Sequence, residues 1–98
     1  MAKGYIIARV DILDPEAYAR YAAAAGKAIA DHDGTALARG GRCEAMEGEA
    51  RARNVVLEFE SYDAARRYYF SEQYQAARKL REGAANIELV LVEGVVEG

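Results

Sequence analysis

An α+β fold of strand-helix-strand-strand-helix-strand order, with a four-stranded antiparallel sheet and its helices on one face, is predicted by three features of the sequence. Breaker-free β-rich runs lie near its two ends, GYIIARVD at residues 4–11 and IELVLV at 87–92. Two stretches of helical apolar spacing each follow a capping signal, Asp14-Pro15 in one case and Ser61 in the other. Between them, a Gly-containing interval separates two further β-rich runs that read as a hairpin. At 98 residues the chain suits one modest core, so a single domain over residues 1–98 is expected.

The first strand, Gly4 to Asp11, is apolar on both faces. Asp14 then accepts from free backbone N–H groups, Pro15 needs no donor in the first turn, and Glu16 meets the positive end of the helix dipole. Tyr18, Tyr21, Ala22, Ala25 and Ile29 form one helical stripe, with Glu16 and Arg20 as an i,i+4 pair elsewhere. Asp33-Gly34 ends the helix, Gly34 being expected to take the left-handed backbone. Thr35–Arg39 and Cys43–Met46 read as two halves of one strand, interrupted by a bulge or bend at Gly40-Gly41. Asn54 to Glu60 is the returning strand. Ser61 caps the next helix, with Asp63 and Arg67 paired behind it. Ser71 looks like a fresh cap, so that helix is expected to break near Phe70, after which Phe70, Tyr74, Ala77, Leu80 and Ala84 repeat at helical spacing. Ile87 to Val92 closes the sheet.

Composition narrows the function classes. The net charge is −3 and the thirteen Lys and Arg are scattered, so nucleic acid is not an expected partner. No apolar run approaches the roughly 20 residues of a membrane span, and the N-terminal residues lack a leader pattern, so no membrane partner is expected. Cys43 is the single cysteine and has no internal disulfide partner, which fits a reducing, cytoplasmic location. No metal-ligand spacing, GxSxG, P-loop or dinucleotide fingerprint occurs, and no cofactor is expected.

The element order is that of a ferredoxin-like βαββαβ sheet, which leaves one face without helices. Its strands nevertheless carry apolar groups on both sides: Ile6, Ala8 and Val10 against Tyr5 and Ile7, Val55, Leu57 and Phe59 against Val56, and Val90 and Val92 against Leu89 and Leu91. An exposed patch of that size points to self-association, two sheets meeting face to face in a homodimeric α+β barrel. Arg9 and Glu58 interrupt that second face on neighbouring strands. They read either as a cross-strand structural pair at the dimer seam or as groups facing a cavity, where they orient a polar ligand or handle a proton.

Several segments carry a resemblance: KGYIIARV, DPEAYARYAAAAGKAI, GTALARGG, VVLEFES, SEQYQAARKLREGAA and VLVEG. Over about residues 3 to 95 the sequence resembles the uncharacterised family known as domain of unknown function thirteen-thirty, within the dimeric α+β barrel superfamily. The resemblance implies the same fold, a dimer, and a pocket between sheet and helices. The wider superfamily includes cofactor-free monooxygenases of aromatic polyketides, small-ring lactone isomerases and stress-induced barrels. It supplies no reaction for this chain.

Candidate site groups are read against structural alternatives. Tyr18 and Tyr21 lie three apart on one helix and either pack in the core or line a pocket with phenols that orient a carbonyl or hydroxyl ligand. Tyr74 and Arg78, spaced i,i+4, raise the same question, Arg78 being equally a solvated partner of Glu82. Arg39 precedes two glycines that let a backbone approach closely, an arrangement suited to a carboxylate or enolate ligand or to a plain strand bulge. His32 is expected as an exposed helix-end group, Cys43 as a small, at least half-buried apolar residue, and Glu49 to Arg53 as a solvated hairpin tip. The candidate catalytic groups are therefore Glu58, Arg39 and Arg9, and the candidate ligand-binding groups Tyr18, Tyr21, Arg39, Glu58, Tyr74 and Arg78. Three functions fit: a cofactor-independent, monooxygenase- or isomerase-like enzyme acting on a small carbonyl or aromatic metabolite, a non-catalytic ligand-binding or stress-related barrel, and a homodimeric assembly module.

Overall fold

The computed structural model describes residues 2–96. Its elements run β1 (Gly4–Ile12), α1 (Pro15–Asp31), β2 (Thr35–Arg39), β3 (Arg53–Phe59), α2 (Tyr62–Phe70), α3 (Glu72–Lys79) and β4 (Ala85–Glu93). The strands form one sheet in the order β2-β3-β1-β4 with every neighbouring pair antiparallel, which is the ferredoxin-like arrangement.

The helix starts follow local chemistry. Asp14 accepts from the N–H groups of Glu16 and Ala17 at 3.1 and 3.3 Å, satisfying two donors that the first turn of α1 leaves free. Ser61 does the same for Ala64 at 3.0 Å. Ser71 ends one helix and begins the next: its hydroxyl donates to the Tyr68 carbonyl at 2.7 Å and accepts from the Tyr74 N–H at 3.1 Å, in an extended backbone that α2 cannot continue through.

The end of α1 differs from expectation. Asp33, not Gly34, takes the left-handed backbone, at φ 59°. Gly34 is needed for space, because a Cβ there would lie 2.6 Å from Phe59 Cε2. The expected Glu16–Arg20 and Asp63–Arg67 pairs do not form among the described residues, and the i,i+4 pair on α1 is Lys27–Asp31 at 2.9 Å.

Other corrections concern the middle of the chain. Residues 43–46 are not strand. Gly40, at φ 73°, turns the chain out of the sheet after Arg39, and residues 40–52 form an irregular connection. A bulge is present, but at Leu37, where the register slips between Ala36 opposite Leu57 and Ala38 opposite Val56. Cys43 is exposed rather than half-buried. The second helix ends at Lys79, so Ala84 lies in the following turn, where it is buried and its carbonyl accepts from the N–H groups of Leu13 and Asp14. Phe70 and Leu80 fall off the buried stripe, at 61% and 45% exposure, while Tyr74 and Ala77 remain on it.

The core lies between the helices and one sheet face: Ile6, Ala8 and Val10 of β1 and Leu57 and Phe59 of β3 meet Tyr18, Tyr21, Ala25, Ala28 and Ile29 of α1 and Ala65, Tyr68, Tyr74 and Ala77 of α2 and α3. The opposite face carries no helix. Ile7 stands at its centre, opposite Val56 on one side and Val90 on the other, and Val90 and Val92 are 54% and 41% exposed.

Candidate functional site

Between α1 and the sheet the packing is incomplete. The α1 positions facing the middle of β1 are Ala22, Ala25 and Gly26, and the strand answers with Ala8, so small side chains meet across a gap that neither surface fills. The result is a partly open cleft with a volume of about 60 Å³. Its walls are aliphatic, from Ile6, Val10, Val55, Leu57, Ile87 and Leu89, and aromatic, from Tyr18, Tyr21, Tyr68 and Tyr74. Arg39 and Arg53 are its charged lining residues.

The bulge at Leu37 sets one of them. Thr35 lies opposite Glu58 and Ala36 opposite Leu57. After the slip, Ala38 faces Val56 and Arg39 faces Val55, which turns Arg39 to the helix side of the sheet. Arg53 reaches the same side by simple alternation with Val55, Leu57 and Phe59. Its Nε donates to the Tyr18 hydroxyl at 3.2 Å, and its guanidinium carbon lies 5.5 Å from the centre of that ring. It also packs against the turn at Gly40, where an added Cβ would overlap the guanidinium.

The phenols are tied to one another. The Tyr21 and Tyr74 hydroxyls are 2.9 Å apart, and the rings of Tyr18 and Tyr21 meet at a tilt with centres 5.5 Å apart, as do those of Tyr68 and Tyr74 at 5.0 Å. Burial, the neighbouring Tyr74 and its hydrogen bond push the Tyr21 hydroxyl far above the usual phenol range, and burial does the same to Tyr68. Both are therefore neutral hydrogen-bonding groups at physiological pH and not bases. Arg81 lies behind them, its guanidinium carbon 5.3 Å from the Tyr21 ring centre and its Nε buried without a hydrogen-bond partner among the described residues.

Of the residues singled out from sequence, Tyr18, Tyr21, Arg39 and Tyr74 thus line one cleft. Glu58, Arg9 and Arg78 do not. Glu58 points to the helix-free face and accepts from the Tyr5 hydroxyl at 3.0 Å. Arg9 is on that face too, but the register sets it opposite Asn54 and Glu88, four residues along β1 from Tyr5, the partner of Glu58. The expected Arg9–Glu58 pair is therefore not made; Arg9 instead lies 3.9 Å from Glu88 and donates to the Glu49 carbonyl at 3.0 Å. Arg78 is exposed on α3. His32 caps α1, half-buried, its Nδ1 2.8 Å from the Ala28 carbonyl and its ring edge-on to Tyr68.

Glu49 to Arg53 is no free hairpin tip. Arg51 bridges Asp11 at 2.6 Å and Glu88 at 2.8 Å, pinning the connection to the sheet. Arg53, Arg81 and Gly26 are the site residues the sequence reading passed over. Period-two alternation with Val55 and Leu57 marked Arg53, and a glycine in mid-helix marked Gly26, whereas Arg81 sits in a turn and carried no signal. Among the described residues no group of three or more His, Cys, Asp or Glu side chains is gathered closely enough to hold a metal ion, and no helix is long and apolar enough to cross a membrane.

Comparison with solved structures places this architecture among known folds. A protein of unknown function from Rhodopseudomonas palustris superposes with a TM-score of 0.77 at 19% identity, over 98% of this chain and 85% of that one. SnoaB, a cofactor-independent oxygenase from Streptomyces nogalater, gives 0.70 at 12% identity over 99% and 97%. A dimeric ferredoxin-like protein of unknown function from Thermobifida fusca gives 0.63 at 16% identity over 97% and 92%. At these identities the likeness establishes the fold. No curated protein matches the chain. Residues 3–95 match the family described as Domain of unknown function (DUF1330), and the chain belongs to that family.

Proposed function

We propose that the cleft between α1 and the sheet binds a small carbonyl-bearing or aromatic metabolite, in a homodimer, and that the protein is a cofactor-independent enzyme of monooxygenase- or isomerase-like type. The observation that carries this reading is an apolar cleft lined by four tyrosines and two arginines, whose side chains are hydrogen-bond donors. The anion to be stabilised in such a reaction is an enolate, formed by loss of a proton next to a carbonyl. Donors fixed beforehand around a water-poor cleft would favour such an anion more than its neutral precursor. The fold shared with SnoaB is consistent with this reading and adds only analogy.

A second reading is binding without turnover. It is favoured by the raised Tyr21 and Tyr68 phenols, which do not act as bases near neutrality. One experiment separates the two. A metabolite library is screened by thermal shift, and hits are assayed for oxygen uptake and for isomerisation with the wild type, Arg39→Ala and Gly26→Leu. The enzyme reading expects turnover that falls in Arg39→Ala and vanishes when Leu fills the cleft. Saturable binding with no turnover favours the second reading, and hits unaffected by Gly26→Leu would remove the cleft as their site.

A further inference from the structure

Resting on the reading of the cleft as a ligand site, we infer that it selects a carboxylate-bearing molecule, with the carboxylate held by Arg39 and Arg53 at the mouth and the apolar body among the tyrosines. Three features converge on this.

The first is placement. Arg39 stands opposite Val55, and Arg53 lies two residues before Val55 on the same sheet face, so the two are diagonal neighbours on adjacent strands. Such positions are about 7–8 Å apart. Long side chains span that distance easily and can meet on one carboxylate. Like charges set so close repel each other unless an anion lies between them.

The second is the lack of an internal counter-ion. The ion pairs among the described residues are Arg9–Glu88, Lys27–Asp31, Arg51–Asp11 and Arg51–Glu88. None involves Arg39 or Arg53. The chain carries sixteen acidic residues against thirteen Lys and Arg, so carboxylates are in excess, yet among the described residues none pairs with these two. The nearby Asp11 and Glu88 are on the opposite sheet face, where Arg51 occupies them.

The third is orientation. The Arg53 Nε is committed to the Tyr18 hydroxyl, and Gly40 gives the guanidinium a surface to lie on, so its head is held in place while its terminal nitrogens have no acceptor among the described residues. A planar fork fixed in this way matches the two oxygens of a carboxylate. Behind it the aliphatic and phenolic walls suit a flat apolar body.

The test compares 3-phenylpropanoate with its amide, 3-phenylpropanamide, by ligand-observed NMR titration and calorimetry. The pair differs in charge and hardly in shape. The wild type is expected to bind the acid at least about tenfold more tightly than the amide, and Arg39→Gln and Arg53→Gln are each expected to bring that ratio towards one. Arg39 is exposed, so its variant keeps the test valid even where Arg53→Gln fails to fold. Equal affinity for acid and amide in the wild type, or a ratio unchanged in the variants, overturns the charge selectivity and leaves the ligand cleft standing. Binding of neither probe overturns both.

Discussion

The guanidiniums of Arg51 and Arg53 lie on opposite faces of the sheet, although only Ala52 separates them. Arg51 reaches Asp11 and Glu88 on the helix-free face, while Arg53 reaches Tyr18 on the helix side. The 40–52 connection is thus anchored near its end on the helix-free face, and β3 begins directly after it by presenting Arg53 to the cleft on the other.

Breaking the anchor should loosen the connection. Arg51→Ala leaves Asp11 and Glu88 without their shared partner, and limited proteolysis is expected to cut within residues 40–50 faster than in the wild type, with a lowered melting temperature. Cleavage at the wild-type rate would show that the bridge does not hold the segment.

The buried phenols should resist alkali. The chain has seven tyrosines, and two of them, Tyr21 and Tyr68, have raised hydroxyls and are expected to stay protonated near pH 10. A proton held more tightly in the folded state stabilises it below the unfolded phenol value near 10, and that contribution fades as pH rises beyond it. Tyrosinate absorbance should therefore appear in two stages, the second together with unfolding. A single stage accounting for all seven would contradict the burial. Tyr21→Phe strands the Tyr74 hydroxyl and should cost about 1–2 kcal/mol in denaturant unfolding.

Two glycines should answer oppositely to alanine. At Gly26 an added Cβ meets nothing within 4 Å, in the interior of a helix. Gly26→Ala should stabilise by roughly 0.5–1 kcal/mol. At Gly34 the added carbon presses on Phe59, and Gly34→Ala should destabilise by about 1–3 kcal/mol. Chemical denaturation checks both, and a destabilised Gly26→Ala would mean that α1 is closer to the sheet than described.

The starts of the elements were legible because caps act locally: Asp14, Ser61 and Ser71 each satisfy donors two or three residues away. What depended on register was not. The Arg9–Glu58 pairing required knowing which residues of β1 and β3 stand opposite, and period-two patterning gives the face of a residue but not its position along the strand. The bulge at Leu37 and the exit at Gly40 were confused with each other, since a glycine signals either. Tyr18, Tyr21, Tyr74 and Arg39 could be named as pocket candidates. That the α1 surface over Ala8 is made of Ala22, Ala25 and Gly26, and so leaves a cleft, became visible only with the helix laid on the sheet.

The helix-free face offers a separate test. Ile7, Val56 and Val90 form an apolar row across three strands, and we propose that a second copy covers it. Val90→Lys should lower the sedimentation coefficient to that of a single chain without loss of helical circular dichroism. A wild type that sediments as one chain at micromolar concentration would remove the dimer.

Methyl-resolved NMR of the protein titrated with 3-phenylpropanoate tests the central claim most directly, because the two faces of the sheet carry different methyl groups. Saturable shifts are predicted at Ala22, Ala25, Val55, Ile87 and Leu89, which line the cleft, with Val90 and Val92 unmoved. Shifts confined to Val90 and Val92, or no saturable shift at any cleft methyl, would contradict it.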